Sequence, residues 1–340
     1  EFFTFLGPSG CGKTTTLRFI LDIYKAAFPA NEILLAAPTG RASRRMAEQT
    51  GMQASTLHSA LGLVTDDDCP LNDHDLLSAD LVVVDEFSMV DMRLAYILLD
   101  RVKPGAQLII VGDADQLPSV GAGNVLREMI RSEKIPTAVL ETVFRQASNS
   151  RIITNAYAIN HNDTHLQYGS DFQMLEVQNS EEAAQLVIKN YLQEVSQHGI
   201  EDVQILSPFR KRGAVSSNAL NDTIRDLVNP PSSLKKEIKC GNRVFRVGDR
   251  IMQTANRIDV SNGDIGIITD MKEEDGETVV CVKLLDDRTI QYKQEMLEDL
   301  EFSYCTTIHK SQGQEYPVII VPLLKEHYIM LRRNLLYTAV

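Results

Sequence analysis

The sequence predicts an α/β protein: two doubly wound domains built on parallel sheets, the second interrupted by a small antiparallel β-barrel. Three observations carry that expectation. Short, near-continuous Val/Ile/Leu runs recur with helical patterns between them, the rhythm of βαβ units. A glycine-rich loop follows the first of these runs and opens a helix. The rhythm then breaks once, between about 257 and 302, into period-two alternation around tight turns.

Strands are expected at Phe2–Leu6, Ile33–Ala37, Leu81–Asp85, Leu108–Gly112, Val203–Ser207 and Val318–Pro322. Their apolar residues are consecutive rather than alternating, as in strands buried on both faces of a parallel sheet. Helical patterns lie between them, for example Lys13–Phe28, Asp91–Val102 and Glu181–His198. The stretch 62–79, GLVTDDDCPLNDHDLLSA, is polar and acidic and reads as a loop or short hairpin. In NGDIGIITDM, TVVCVKLLDD and RTIQYK the apolar positions alternate around the turns Asn262-Gly263 and Asp275-Gly276. The expected organisation is a first domain over 1–146, a second over 147–340, and an insertion over 257–302.

Composition sets the outer limits. A chain of 340 residues suits about two domains at roughly 150 residues each. With 44% hydrophobic and 24% charged residues, it is neither disordered nor fibrous. The net charge is 34 − 46 = −12, which excludes a surface that is basic all over but not a local basic groove. Cys11, Cys69, Cys240, Cys281 and Cys305 are scattered, with no C-x-x-C pair. That disfavours a disulfide framework or zinc site and fits a reducing compartment. The longest apolar runs, such as VIIVPLL, fall far short of the roughly 18 residues of a membrane span. A cytoplasmic protein is expected, monomeric and without membrane contact. The opening in an apolar strand and the ending within a helix read as a chain trimmed at both ends.

Gly7–Thr14 reads GPSGCGKT and matches G-x-x-x-x-G-K-[ST] in the strand-to-helix context that this motif requires. Backbone N–H groups of Gly7, Pro8, Ser9, Gly10, Cys11, Gly12 and Thr15, as far as each has one, would curl around phosphate oxygens at a helix N-terminus. Lys13 would reach the β- and γ-phosphates of ATP, and the Thr14 hydroxyl would sit on Mg²⁺. Four apolar residues at Leu81–Val84 then end in two adjacent carboxylates. Asp85 is suited to hold Mg²⁺, and Glu86 to orient or deprotonate an attacking water. In LIIVGDADQLPSVG, Gln116 is suited to sense the γ-phosphate, while Asp113 and Asp115 read as turn caps. Arg145, in LETVFRQ, is the candidate arginine finger.

With these motifs assembled, the chain resembles the RecD-like helicases of superfamily one. The matching stretches are GPSGCGKTTT, AAPTGRASRRM, ASTLHSALG, VVVDEFSMVD, VGDADQLPSVGAGNVLRE, FRQASNSRI, FRVGDRIMQT, NGDIGIITD, TTIHKSQGQEYPVIIVPLL and RRNLLYTAV, in family order. The resemblance implies two RecA-like domains with ATP between them, an inserted SH3-like barrel that contacts single-stranded DNA or a protein partner, and movement 5′ to 3′. It assigns Asp85 to the Mg²⁺ aspartate, Glu86 to the catalytic glutamate, Gln116 to the γ-phosphate glutamine and Arg145 to the motif IV arginine. Glu315, in KSQGQEY, matches the acidic residue that approaches the ribose. The chain departs from the pattern in three respects. It stops at YTAV before the motif VI arginine, it lacks the adenine-reading glutamine upstream, and an acidic 62–79 stands where a duplex-splitting pin is common.

Single strands are held by phosphate contacts and base stacking. Thr39, Gly40 and Arg41 (PTGRAS), Thr56 and His58 (STLHS), and Thr307, His309 and Lys310 (TTIHKS) sit where strands turn into helices, so their backbone N–H groups can bind phosphates. Thr39, Ser55 or Thr56, and Thr306 are equally candidates for helix N-caps. Phe209, in SPFRKR, reads either as a base-stacking residue with Lys211 and Arg212 on phosphates or as a core phenylalanine beside a solvated basic run. The expectation is an ATP-dependent DNA helicase or translocase acting on single-stranded DNA and its junctions with duplex, in repair or recombination. The alternative is a single-strand-binding ATPase subunit that does not itself unwind.

Overall fold

The structure is a computed structural model in which residues 2–7, 12–63, 75–140, 150–257, 259–274 and 276–340 are described. The chain divides into two compact units, Glu1–Gln173 with Leu336–Thr338, and Met174–Leu335 with Ala339–Val340.

The elements of the first unit run β1 (Phe2–Leu6), α1 (Lys13–Ala27), β2 (Ile33–Ala37), α2 (Gly40–Thr50), β3 (Ala54–Thr56), α3 (Leu57–Ala60), β4 (Leu81–Val84), α4 (Met92–Arg101), β5 (Gln107–Gly112), α5 (Val125–Arg131), β6 (Thr137–Val139) and α6 (Arg151–Asn160). The six strands form one sheet in the order β3-β2-β4-β5-β1-β6, and every neighbouring pair is parallel. The strand that leads into the glycine-rich loop is thus separated from β4, which leads into Asp85 and Glu86, by β5.

Side-chain alternation along β4 explains why its sequence is apolar throughout. Val82 and Val84 pack with Leu94 and Leu98 of α4 on one face, and Leu81 and Val83 pack with Leu17, Leu21 and Met46 on the other. All four β4 residues are fully buried, each stabilising the fold by about 1.5–3 kcal/mol. A charge at Val83 would sit between two helical layers without a partner and break the sheet.

The second unit holds α7 (Ser180–His198), β7 (Val203–Ser207), α8 (Ser217–Val228), β8 (Glu237–Cys240), β9 (Arg243–Arg246), β10 (Arg250–Gln253), β11 (Ile265–Glu274), β12 (Glu277–Leu284), β13 (Thr289–Tyr292), β14 (Leu300–Phe302), β15 (Cys305–Thr307) and β16 (Val318–Ile320), and most of α9 (Arg333–Ala339). Its parallel sheet is β15-β7-β16, and an antiparallel sheet β13-β12-β11-β10-β14 lies between α8 and β15 in sequence, beside the β8-β9 hairpin. Each sheet has its own core, one around Tyr191, Ile205 and Ile224, the other around Phe245, Ile268, Val280 and Tyr292.

Buried polar groups join the two sheets. Asp249, fully buried, accepts bonds from Arg225 Nε (2.9 Å) and Nη2 (2.8 Å), Asn229 Nδ2 (2.8 Å) and the Arg246 backbone (2.8 Å). Arg250, also fully buried, donates through Nη1 to the carbonyls of Ile200 and Val203, each at 2.7 Å.

The expected strands stand within two residues of their observed bounds. Two expectations about organisation differ from what is seen. Helix α6 belongs to the first unit, whose chain continues to Gln173 rather than ending at 146. It is fastened there by Asn160 Nδ2 on Asp115 (2.8 Å) and by paired bonds between Asn155 and Gln167 (2.8 Å each). The antiparallel region begins at Glu237, not 257. The run EIKCGNRVFR hides it, because only Ile238 and Phe245 of β8 and β9 are buried apolar residues. Of the acidic 62–79 stretch, residues 64–74 lie outside the described residues. Its far end is anchored by Leu77, whose N–H donates to the Arg101 carbonyl at 2.8 Å. No helix among the described residues is long and apolar enough to cross a membrane.

Candidate nucleotide and nucleic-acid sites

The carboxyl ends of β1, β4 and β5 bring Lys13, Asp85 and Glu86 of the predicted nucleotide residues together. Gly12 has φ 86°, a left-handed value open to glycine, and caps α1 without a side chain, leaving its first N–H groups free of a side-chain cap. Lys13 turns its Nζ back onto the Gly7 carbonyl. Thr14 is half-buried in the first turn of α1, and Thr15 is exposed. Pro8, Ser9, Gly10 and Cys11 lie outside the described residues, as does Arg145. The described chain on either side of 141–149 belongs to the first unit.

Asp85 leaves β4 with its N–H on the Ala36 carbonyl (2.9 Å), and its Oδ1 accepts the N–H of Glu86 (2.8 Å). Glu86 itself is left-handed, with φ 51° and ψ 38°. A non-glycine residue held there costs on the order of 1 kcal/mol or more, and such strain gathers at functional sites. Asp113, at the end of β5, is 4% exposed. It serves as the expected turn cap, accepting the Asp115 N–H at 3.0 Å, and it also accepts the Tyr337 hydroxyl at 2.8 Å.

Three carboxylates therefore meet one ammonium. Burial pushes Asp85 and Asp113 above the usual carboxylate range, and Lys13 pulls both back. Glu86 is pushed up to about 7, first by burial and then by the neighbouring Asp85 charge, with Lys13 and Arg45 opposing. A carboxylate poised near neutrality suits a general base.

The donor set fits Mg²⁺. Asp85 and Thr14 are hard oxygen donors, and no group of three or more His, Cys, Asp or Glu among the described residues could hold a metal by itself. Mg²⁺ is commonly held in that way, by one or two protein oxygens completed by substrate phosphates.

Gln116 lies half-buried in the loop after β5. The next residue, Leu117, donates its N–H to Thr338 Oγ1 at 2.9 Å. The sequence reading missed Arg45, whose charge reaches both Asp85 and Glu86, and the burial of Asp113. The arginine-rich RASRR run on α2 was the available signal for the first. A lone Asp after a strand gives none for the second.

The predicted strand-binding residues of the first unit stand at the carboxyl ends of β2 and β3, on the same sheet edge. Thr39 caps α2 by accepting the Ala42 N–H (3.2 Å), and Thr56 caps α3 by accepting the Ser59 N–H (3.1 Å). Gly40 is buried, while Arg41 and His58 are half-buried. In the second unit it is Thr307 that caps, accepting the Lys310 N–H at 3.4 Å, whereas Thr306 is buried against Gln204. Burial lowers the pKa of His309. Phe209 is half-buried and meets His327 edge-on, ring centroids 5.0 Å apart. Glu315 is exposed. The cap reading therefore holds at Thr39 and Thr56 but fails at Thr306, where Thr307 caps instead; at the three capping residues the hydroxyl proton stays available to a ligand.

Comparison with known proteins agrees along the chain. Residues 1–180 match the family model described as AAA domain, residues 220–282 the ATP-dependent RecD-like DNA helicase SH3 domain, and residues 302–340 the UvrD-like helicase C-terminal domain. An ATP-dependent RecD2 DNA helicase of Deinococcus radiodurans is 32% identical over 335 residues, covering 98% of this chain and 44% of that protein. A RecBCD enzyme subunit RecD of Mycolicibacterium smegmatis is 29% identical over 374 residues, covering 98% of this chain and 65% of the relative. The chain thus spans about half to two thirds of the relatives it matches. Among solved structures, the Pif1 helicase of Candida albicans aligns with TM-score 0.59 at 18% identity over 99% of this chain and 87% of that one. A structure of Pif1 helicases at forked double-stranded DNA aligns with TM-score 0.60 at 21% identity, over 100% of this chain and 85% of that one. At such identities the likeness is one of fold.

Proposed function

Because the chain belongs to the RecD-like helicases of superfamily one, we propose that it is the motor part of an ATP-dependent DNA helicase or translocase that moves 5′ to 3′ along single-stranded DNA. The observation that carries this reading is the edge of one parallel sheet. The carboxyl ends of β1, β4 and β5 bear Lys13, Asp85, Glu86 and Asp113, and those of the adjoining β2 and β3 bear Thr39–Arg41 and Thr56. Ligands of open parallel sheets bind at such edges.

In this reading Lys13 leaves the Gly7 carbonyl for the β- and γ-phosphates of ATP. Thr14 and Asp85 would hold Mg²⁺, which would neutralise phosphate charge. Glu86 accepts the proton of the water that attacks the γ-phosphorus, and ADP leaves. Gln116 positions that water or reads the γ-phosphate, Arg145 stabilises the charge on the transferring group, and Glu315 approaches the ribose. Asp85 and Ala36 share a backbone hydrogen bond (2.9 Å), so a shift at the phosphates has a short route to β2 and to the loop that starts at Thr39. On the second unit, Thr307, His309, Lys310 and Phe209 hold the strand at the carboxyl ends of β15 and β7. The two units are then RecA-like domains, and the antiparallel region is an SH3-like barrel inserted in the second, offered to single-stranded DNA or to a protein partner.

A second reading has its own support. Relatives named as RecBCD subunits allow a single-strand-activated ATPase that serves a larger assembly in DNA recombination or repair. The deciding experiment measures ATPase with and without single-stranded DNA, then unwinding of a tailed duplex. Stimulation with unwinding supports the helicase, and stimulation without unwinding supports the subunit. ATPase indifferent to single strands would reject both.

A further inference from the structure

Arg210, Arg243 and Lys310 converge on a cavity of about 160 Å³ within the second unit, beside Thr307 and with Asn218 of α8 on its wall. Three cations around so small a space repel one another unless carboxylates neutralise them, and two line it, Asp222 and Glu301. Glu301 of β14 is the anion that two of them share. Its Oε1 accepts Arg210 Nη2, and its Oε2 lies 3.2 Å from Lys310 Nζ. Arg243 is held close by, on the carbonyl of Leu300. The Arg210 and Lys310 side chains remain 49% and 33% exposed, so these pairs are weak and exchangeable.

A phosphodiester presents what Glu301 presents: one negative charge spread over two oxygens, each able to accept from a guanidinium or an ammonium. The Lys310 backbone N–H is engaged by Thr307 Oγ1 at 3.4 Å, so the cap holds the Lys310 segment beside the carboxylate. We propose that Glu301 is the resident anion of a phosphodiester subsite, and that the backbone of a single strand must displace it before Arg210 and Lys310 can grip. The proposal rests on the strand-binding reading above and adds to it a residue that sets the strength of the grip. Binding then exchanges one anion for another. The displaced carboxylate draws a cation from solution, which offsets part of the counterion release that drives strand binding. A grip limited in this way can be let go, as stepping along a strand requires.

The test is fluorescence anisotropy of a labelled oligothymidylate with the full chain across a range of salt concentrations. Glu301→Gln should bind roughly three- to tenfold tighter than wild type and lose affinity more steeply with salt. Glu301→Asp, which keeps the charge, should stay near wild type. The gain should vanish when Lys310→Ala or Arg210→Ala is added to Glu301→Gln, because a local exchange is not additive whereas a general change of field would be. Circular dichroism confirms folding, and Glu301→Ala serves if Glu301→Gln does not fold. Equal affinity and equal salt slope in wild type and the neutral variant overturn the proposal alone. A gain that survives removal of both cations also overturns it. No binding by either protein overturns the strand-binding reading, and this proposal with it.

Discussion

The backbone N–H of Glu86 donates to the side chain of its own neighbour, Asp85, across 2.8 Å. Glu86 itself is left-handed, and burial first, with the adjoining Asp85 charge second, keeps a proton on it near neutrality.

Stability should reveal that proton. The folded protein holds it on Glu86 up to about pH 7, whereas an unperturbed Glu releases it near 4.5. Unfolding therefore releases a proton between those values, and this residue's contribution to stability declines as pH rises through the window. Glu86→Gln removes this residue's share of the decline, leaving the part that Asp85 and Asp113 contribute in the same direction. It should be more stable than wild type by on the order of 1–3 kcal/mol above pH 7, with little advantage near pH 4, while ATPase is lost. Urea titrations at the two pH values check both the sign and the window.

Lys13→Ala should lower ATPase by on the order of 10²- to 10³-fold or more and leave single-strand affinity nearly unchanged, since Lys13 follows β1 and the proposed strand-binding residues follow β2 and β3. Steady-state ATPase and anisotropy on the same preparation separate the two. ATPase at the wild-type level in this variant would refute the nucleotide site.

At Thr39 one hydroxyl is asked to cap and to bind. Thr39→Ala should cost about 1 kcal/mol of stability and also weaken strand binding. Thr39→Ser should restore both, because it keeps the oxygen that accepts the Ala42 N–H and the proton that a phosphate would accept. A Thr39→Ala variant with lowered stability and full strand affinity would leave the residue as a cap alone.

Asp249 sits under four hydrogen bonds with no exposure. Asp249→Ala strands the buried guanidinium of Arg225 and should destabilise the second unit by about 3–5 kcal/mol. Asp249→Asn keeps acceptors and should cost less. Chemical denaturation followed by tyrosine fluorescence reads this, Tyr304 and Tyr292 being fully buried in that unit.

The longer strands of the parallel sheets were legible because a strand buried on both faces has no polar alternation to confuse, as at LVVV of β4, whereas the three-residue β3, β6 and β15 were not expected. The glycine-rich motif stands out in the sequence because its pattern is local, glycines with Lys and Thr in fixed places, and the described end of it, Gly12 to Thr14, does open α1 after β1. What escaped the sequence depends on distant partners. Nothing near Asp113 marks Tyr337, more than two hundred positions away, as its donor. Nothing in FRVGDRIMQT says that Asp249 and Arg250 would both be wholly buried, since Arg and Asp ordinarily seek water. The cap at Thr307 rather than Thr306 was equally hidden. Both residues fit the pattern, and only the register of β15 on β7 sends Thr306 inward.

Arg250 reaches out of an antiparallel strand to satisfy carbonyls that belong to the neighbouring parallel layer. The inserted region is therefore no removable cassette. Replacing it with a plain loop would leave the oxygens of Ile200 and Val203 without those bonds at the start of β7, and an antiparallel sheet grafted in from a relative would have to bring its own arginine at that height. Shuffling experiments should therefore require that guanidinium of any graft, because the recipient's β7 depends on it.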